Sequence, residues 1–175
     1  RCVANGISLT LNRGDRIALV GRNGCGKSSL LKLLIGQPIA HTGTLEIGTR
    51  LTVSYVPQDM SFLSGSADDF AAESEIDITL FKTILRKLDF KRTQFTKDMS
   101  EFSMGQKKKV LLARSLCQRA NLYIWDEPLN YIDVISRLQI ETLILEYKPT
   151  MLFVEHDEAF VNDIATKVCR ISLNQ

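Results

Sequence analysis

The segment from Gly21 to Ser29 constrains the fold of this chain more than any other stretch of its 175 residues. It reads Gly-Arg-Asn-Gly-Cys-Gly-Lys-Ser-Ser and matches the pattern G-x-x-x-x-G-K-[ST]. An apolar stretch with strand character, residues 16–20, precedes it, and a helical pattern from Ser28 to about Ile35 follows it. Glycines let the backbone N–H groups of such a turn point toward an anion at the helix N-terminus. The pattern therefore predicts a phosphate-binding loop within an α/β fold.

The residue types of this loop indicate how it holds a nucleotide. Lys27 is expected to reach the β- and γ-phosphates, and the hydroxyl of Ser28 is expected to ligate Mg²⁺. Cys25 fits two interpretations, a reactive thiol or a small residue that fills space, and we favour the second. The loop residues predicted to contact the nucleotide are Gly21, Asn23, Gly24, Cys25, Gly26, Lys27, Ser28 and Ser29.

The composition is that of an ordinary globular domain. Hydrophobic residues make up 45% of the chain and charged residues 24%, the net charge is +2, and no apolar run approaches the ~20 residues of a membrane helix. The four cysteines are scattered without a C-x-x-C pair, which argues against zinc and disulfides and fits a reducing cytoplasm. The start, residues 1–5, lacks Met and is no signal peptide, so we expect a piece of a longer protein.

Strand and helix patterns alternate along the chain, which predicts a parallel sheet. We predict a core made of residues 1–58 and 120–175 and a helical subdomain at 59–119. Its basic stretch, 82–114, fits either solvated helix faces or docking on RNA or an acidic surface. The predicted strands are 7–11, 16–20, 44–47, 51–56, 122–125, 150–154 and 167–173, and the helices after the first are 77–88, 105–118, 134–146 and 157–164. Asp77 is expected to cap the helix 77–88.

Two carboxylates follow the apolar run at Leu122–Trp125. Asp126 and Glu127 are expected at the carboxyl end of a buried strand, where α/β sheets bind their ligands. Beside a phosphate loop, Asp126 is expected to hold the Mg²⁺ shell, directly or through water, and Glu127 to polarise an attacking water. The alternative is an acidic pair that caps a helix before Pro128 and has no chemical role.

Five further sequence features follow one another along the chain: Tyr55–Gln58, Phe102–Gln106, Leu122–Pro128, Asp133 and His156. They resemble the glutamine loop, the signature, the second Walker segment, the D-loop and the switch histidine of the nucleotide-binding domain of ATP-binding-cassette (ABC) proteins. The resemblance covers nearly the whole chain. It implies the ABC ATPase fold, a P-loop NTPase fold with a parallel core sheet flanked by helices, a small antiparallel β portion and a helical subdomain that carries the signature.

The resemblance also implies roles for residues outside the phosphate loop. Gln58 would touch Mg²⁺ and the attacking water, and His156 would sense or stabilise the γ-phosphate rather than serve as an ordinary surface or core histidine. A second nucleotide-binding domain would pair head-to-tail with this one and sandwich two ATP molecules. The residues that would face the ATP held by that partner are Ser103, Gly105 and Gln106 of the signature, together with Asp133.

The sequence after Glu127 resembles the ABC-F proteins, which are soluble translation and antibiotic-resistance factors. Asn130 matches their usual Asn-His-Leu-Asp, and Leu129, Tyr131 and Ile132 look like the ribosome-protecting resistance branch. The resemblance implies a cytoplasmic parent with two such domains, this one the C-terminal, acting on the large ribosomal subunit. The alternatives are the ATPase subunit of an ABC membrane transporter and a non-catalytic module that holds ATP structurally.

Some positions depart from the family pattern. Met104 replaces the first glycine of the signature, and Phe102 replaces its leucine. Tyr131 replaces the usual ABC-F histidine, which leaves the geometry of the D-loop open. The aromatic residue that stacks on adenine in ABC domains is expected at or just before Arg1, and none stands there. Lys107–Lys109 fit a solvated helix face better than a phosphate clamp.

Overall fold

The structure, a computed structural model, describes residues 6–171. Strands and helices alternate along the chain, as the sequence patterns predict. The strands are β1 Arg16–Val20, β2 Val53–Val56, β3 Leu122–Asp126, β4 Met151–Val154 and β5 Lys167–Arg170. The helices are α1 Lys27–Leu34, α2 Ala67–Glu73, α3 Ile78–Lys87, α4 Met104–Cys117, α5 Val134–Tyr147 and α6 Glu158–Ile164. Two 3₁₀ turns, Arg92–Gln94 and Met99–Glu101, lie between α3 and α4.

The five strands form one sheet in the order β2-β3-β4-β1-β5. The neighbours β3 and β4, β4 and β1, and β1 and β5 are parallel, with Ala18 opposite Phe153 and Trp125 opposite Phe153 in the register. Because parallel strands end at the same edge, the segments that follow β3, β4 and β1 lie side by side. The predicted α/β fold is confirmed by this sheet and by the structural similarity described below.

The centre of the sheet is buried on both faces. Leu31 of α1 belongs to a buried cluster with Leu19 and Val154. Phe153, whose side chain alternates with that of Val154, meets Phe160 of α6 in an edge-to-face contact at 5.6 Å. Helices α1 and α6 therefore cover opposite faces, which explains why all four residues of β4 are buried.

The chain divides into two compact units. The first consists of residues 1–55, 120–127 and 148–175, and contains most of the sheet with α1 and α6. The second consists of residues 56–119 and 128–147, and contains α2 to α5. The predicted division, with a helical subdomain at 59–119, stays a proposal; α5 groups with the second unit by its contacts.

Side-chain caps begin the helices of the second unit. Asp77 caps α3, with its carboxylate accepting from the N–H of Leu80 at 2.7 Å, as its position in the sequence predicts. Ser66 caps α2 in the same way through the N–H of Asp69. We did not predict α2, although Ser66 and Asp69 have the spacing of a capping box.

The predicted antiparallel portion is not formed in the described part of the chain. The structure has no strand at 7–11 or 44–47, and β2 is shorter than the predicted strand 51–56. Alternation alone does not make a strand, because a strand needs a partner for its backbone hydrogen bonds. Two positions of the last predicted strand, 172 and 173, and the expectations for residues 1–5 lie outside the described residues. Within residues 6–171, no helix combines the length and apolar character needed to cross a membrane.

Candidate functional site

The phosphate loop runs directly from β1 into α1. Gly24 and Gly26 have φ angles of 77° and 93°, a left-handed backbone that glycine adopts without steric cost. Gly26 is the N-cap of α1, and its carbonyl accepts from the N–H of Leu30 at 2.9 Å. The loop therefore ends at the positive end of a helix, where an anion is favoured.

Gly21 is required for a different reason, because another backbone comes close to it. A Cβ atom at this position would lie 2.4 Å from the carbonyl oxygen of Ile171 and 2.8 Å from the sulfur of Cys25. Cys25 itself is 1% exposed and belongs to the buried cluster of the sheet. Its burial supports the interpretation that it fills space.

The ammonium group of Lys27 lies inside the loop. The residue is 6% exposed, and its Nζ donates to the carbonyl oxygens of Gly21 at 2.8 Å and Arg22 at 3.1 Å. The positive charge is therefore held against the loop backbone, next to the N-terminus of α1. This arrangement gives a phosphate group both a cation and hydrogen-bond donors.

The carboxyl ends of β3 and β4 bring an acid and a histidine together. Glu127 follows β3 directly, and its N–H donates to the carbonyl of Val154 at 3.0 Å. Its carboxylate Oε1 lies 3.4 Å from Nε2 of His156, which is the second residue after β4. About half of the His156 side chain is exposed, whereas the Glu127 side chain is mostly covered. A molecule bound at this edge of the sheet can therefore reach the pair through His156.

Asp126, the last residue of β3, is 2% exposed. Burial of Tyr55 raises the pKa of its phenol to about 12, and the nearby carboxylate of Asp126 contributes to that rise. The carboxyl group of Asp126 is therefore buried beside the sheet edge that carries Glu127. The structure brings four predicted features into one unit: the phosphate loop, Asp126, Glu127 and His156.

The remaining predicted residues lie in the second unit. Gln58 comes two residues after β2, and the signature residues lie at the start of α4. Ser103 caps α4 by accepting from the N–H of Gln106 at 3.3 Å, while the amide oxygen of Gln106 accepts from the N–H of Ser103 at 2.9 Å. This reciprocal capping box fixes the end of the helix that the signature occupies.

Gly105 lies against the segment that follows Glu127. A Cβ atom at this position would lie 2.5 Å from the carbonyl oxygen of Tyr131, so only glycine allows this approach. Tyr131 has a left-handed φ of 66° and an exposed side chain. The signature and the D-loop are therefore in backbone contact, which no local sequence pattern indicated.

Asp133 forms an ion pair with a lysine of α4. Its carboxylate lies 2.6 Å from Nζ of Lys109 and accepts from the N–H and the hydroxyl of Ser136, both at 2.9 Å. Partial burial by itself raises the pKa of Asp133, but the bonds from Lys109 and Ser136 outweigh it and lower the pKa to about 2. The sequence did not indicate this pairing, and the solvated face expected for Lys107–Lys109 is wrong for Lys108 and Lys109, which are 0% and 8% exposed.

The donors at the phosphate loop suit Mg²⁺. Ser28 offers a hydroxyl and Asp126 a carboxylate, and Mg²⁺ prefers oxygen ligands and keeps several waters and phosphate oxygens in its shell. Among residues 6–171, no group of three or more His, Cys, Asp or Glu side chains forms a metal site of its own. The residues present therefore fit a magnesium ion that arrives with a nucleotide.

A family profile described as "ABC transporter" matches residues 4–130 of the chain. The putative ATP-binding protein YdiF of Bacillus subtilis is 36% identical over 95% of the chain, and ABC transporter F family member 2 of Arabidopsis thaliana is 30% identical over 95%. The chain spans about a quarter, 26%, of each of these relatives. A solved complex of the archaeal ribosomal stalk protein aP1 and the ribosome recycling factor aABCE1 superposes with a TM-score of 0.76, at 26% identity, over 94% of this chain and 33% of that one.

Proposed function

Because the chain belongs to the ABC transporter family, whose ATP-binding domains are ATPases, we propose that it is the ATP-hydrolysing domain of an ABC-F protein that acts on the ribosome. The proposal of ATP hydrolysis rests on the contact between Glu127 and His156 at 3.4 Å. It lies at the carboxyl ends of β3 and β4, and the phosphate loop follows β1, the next strand of the sheet. An acid, a histidine and a phosphate cradle therefore share one edge.

The residues of this edge, and Gln58 of the second unit, each have a proposed task. The loop amides and Lys27 bind the phosphates of ATP, and the glycines keep the backbone open around them. Ser28, Gln58 and Asp126 are the residues that would hold Mg²⁺, which neutralises phosphate charge when bound. Glu127 accepts the proton of the attacking water, and His156 orients that carboxylate and contacts the γ-phosphate.

Apart from Gln58, the second unit serves the nucleotide of a partner domain in this proposal. Ser103, Gly105 and Gln106 present the N-terminus of α4, which favours an anion such as a γ-phosphate. Asp133 and Tyr131 lie beside that helix end through the contacts described above. ABC domains work in pairs, and we propose that this domain pairs head-to-tail with a second one in the parent chain.

Action on the ribosome is supported by the relatives. One of them is named a member of the F family, and a structural neighbour was solved in complex with a ribosomal stalk protein. Asn130 and Asp133 retain two positions of the ABC-F sequence after Glu127. We propose the large subunit as the partner, the cytoplasm as the location, and ribosomal protection against antibiotics as the finer role.

The test is co-sedimentation of the full-length parent with ribosomes. The parent carries Glu127→Gln and the equivalent change in its other domain, so that it holds ATP without hydrolysing it. We expect ATP-dependent pelleting with the large subunit, and none for a matched protein that also carries Lys27→Ala and its equivalent. Intact ATP binding without pelleting would contradict the ribosome role and favour the ATPase subunit of a membrane transporter.

The finer role needs a separate measurement. Expression of the parent in a susceptible bacterial strain should raise the inhibitory concentration of drugs that bind the large subunit. The Glu127→Gln protein is the matched control, because in this proposal it binds ribosomes but, without ATP hydrolysis, is not released from them. Unchanged susceptibility together with ribosome binding would leave a translation factor without a resistance role.

A further inference from the structure

Lys108 is a fully buried lysine that the proposed mechanism does not use. It lies in α4, is 0% exposed, and ranks among the largest fully buried side chains of the described residues. Its neighbour Lys107 is only half-buried, and Lys109 is paired with Asp133. A buried ammonium is costly unless it is hydrogen-bonded, so the contacts of Lys108 are part of the structure rather than incidental.

The Nζ atom of Lys108 donates to the carbonyl oxygen of Pro57 at 3.2 Å. The two residues are 51 positions apart and belong to the same compact unit. The carbonyl group of Pro57 and the N–H group of Gln58 form one planar peptide unit. A hydrogen bond to that carbonyl therefore restrains the peptide plane that leads into Gln58.

The proline restrains the same peptide unit from its other side. Its ring fixes φ near −65°, so the orientation of the following peptide plane depends on the ψ angle of Pro57 alone. The bond from Lys108 holds the oxygen of that plane and so restrains ψ. Together, the ring and the ammonium fix the orientation of the peptide plane that precedes Gln58.

We infer that Lys108 is a positioning residue, which orients Gln58 for the metal and the attacking water by holding the Pro57 carbonyl. The inference rests on the role proposed above for Gln58 in ATP hydrolysis and does not depend on the ribosome. Preorganisation of this kind acts on turnover, because a misplaced contact costs rate more than it costs binding.

The test is a double-mutant cycle in the full-length parent. Lys108→Met has a similar length and lacks the donor, and Gln58→Ala removes the positioned side chain. We expect Lys108→Met to lower kcat about tenfold and to raise the Mg²⁺ concentration for half-maximal hydrolysis, with the Kd for ATP in EDTA unchanged. In the Gln58→Ala background, Lys108→Met should lower kcat no further, because the effect passes through Gln58.

The matched control is Lys107→Met, which removes a neighbouring charge and should leave kcat and the Mg²⁺ dependence unchanged. Equal losses of kcat in both backgrounds would overturn the inference, since they would mean a general structural role. No effect of Gln58→Ala itself would overturn both the inference and the proposed task of Gln58.

A second variant covers the case in which Lys108→Met does not fold. Pro57→Ala leaves the carbonyl and the lysine in place and frees φ. We expect a loss of kcat in the same direction, again absent in the Gln58→Ala background. Unchanged kcat and Mg²⁺ dependence in Pro57→Ala would count against a restrained peptide plane.

Discussion

A single left-handed residue directs the carboxylate at the end of β3. Glu127 has a φ of 50°, a conformation that non-glycine residues rarely adopt. Its N–H nevertheless continues the bonding of the sheet by donating to Val154. Strained residues of this kind cluster at functional sites because the surrounding structure holds them in place. Here the strain turns the chain immediately after the strand and leaves the carboxylate beside His156.

We predict that Glu127→Gln in the full-length parent lowers ATP turnover by about 100-fold or more while ATP binding persists. Glutamine has the same shape, but its amide cannot accept the proton of the attacking water. Steady-state phosphate release and equilibrium binding of a fluorescent ATP analogue are the two measurements. Turnover at the wild-type rate would remove Glu127 from the proposed mechanism.

The close approach at Gly21 also belongs to the residue scale. We predict that Gly21→Ala destabilises the protein by about 1–3 kcal/mol, because the new methyl group meets the carbonyl of Ile171 and displaces backbone. Urea unfolding gives the difference. Gly48→Ala is the matched control, since no atom lies within 4 Å of its added Cβ and its φ is not left-handed. A free energy of unfolding equal to that of Gly48→Ala would contradict the crowding argument.

At the scale of elements, α4 and the start of α5 are joined by charge and by close backbone contact. Lys109 of α4 meets Asp133, which in turn accepts from Ser136 in the first turn of α5. Gly105, in the first turn of α4, allows this helix to approach the backbone of Tyr131. The signature and the D-loop are thus one connected assembly within the second unit.

This link predicts a pH dependence. The pKa of Asp133 is about 2 in the folded chain, below the ordinary aspartate value of 3.8, so its contribution to stability is present above about pH 4. The contribution is lost as pH falls through the folded pKa. Because Asp133 is partly exposed, we expect wild type to exceed Asp133→Asn by only ~0.5–1 kcal/mol at pH 7, and by less at pH 3.

Urea unfolding of both proteins at pH 7 and pH 3 tests this expectation. The matched comparison uses the Lys109→Met background, in which Asp133→Asn should cost less at pH 7 because the cation is already absent. A difference between wild type and Asp133→Asn that is the same at both pH values would argue against an ion pair as its source.

At the scale of the whole molecule, the two compact units divide the proposed work. The first holds the phosphate loop with Glu127 and His156, and the second holds the signature and the D-loop. In the proposed pairing, each ATP is contacted by the first unit of one domain and the second unit of the other. Hydrolysis would then depend on a partner, while binding would need only the phosphate loop.

We therefore predict that the 175-residue chain alone binds ATP but hydrolyses it about 100-fold more slowly than the full-length parent. Turnover per site for both proteins, measured at saturating ATP and Mg²⁺, gives the ratio. Mixing the chain with an excess of the parent's other domain should restore part of the rate. Equal turnover without any partner would contradict the requirement for a pair.

The sequence alone determined the features that are local. The phosphate loop needs only neighbouring residues, the cap at Asp77 acts within one turn, and a run such as Leu122–Trp125 predicts a buried strand and the carboxylates at its end.

The tertiary structure decided the rest. Residues 7–11 and 44–47 alternate like strands but form none in the described chain, because a strand depends on a bonding partner. The contacts of Lys109 with Asp133, Lys108 with Pro57 and Gly105 with Tyr131 join residues distant in sequence, and only folding brings those pairs together.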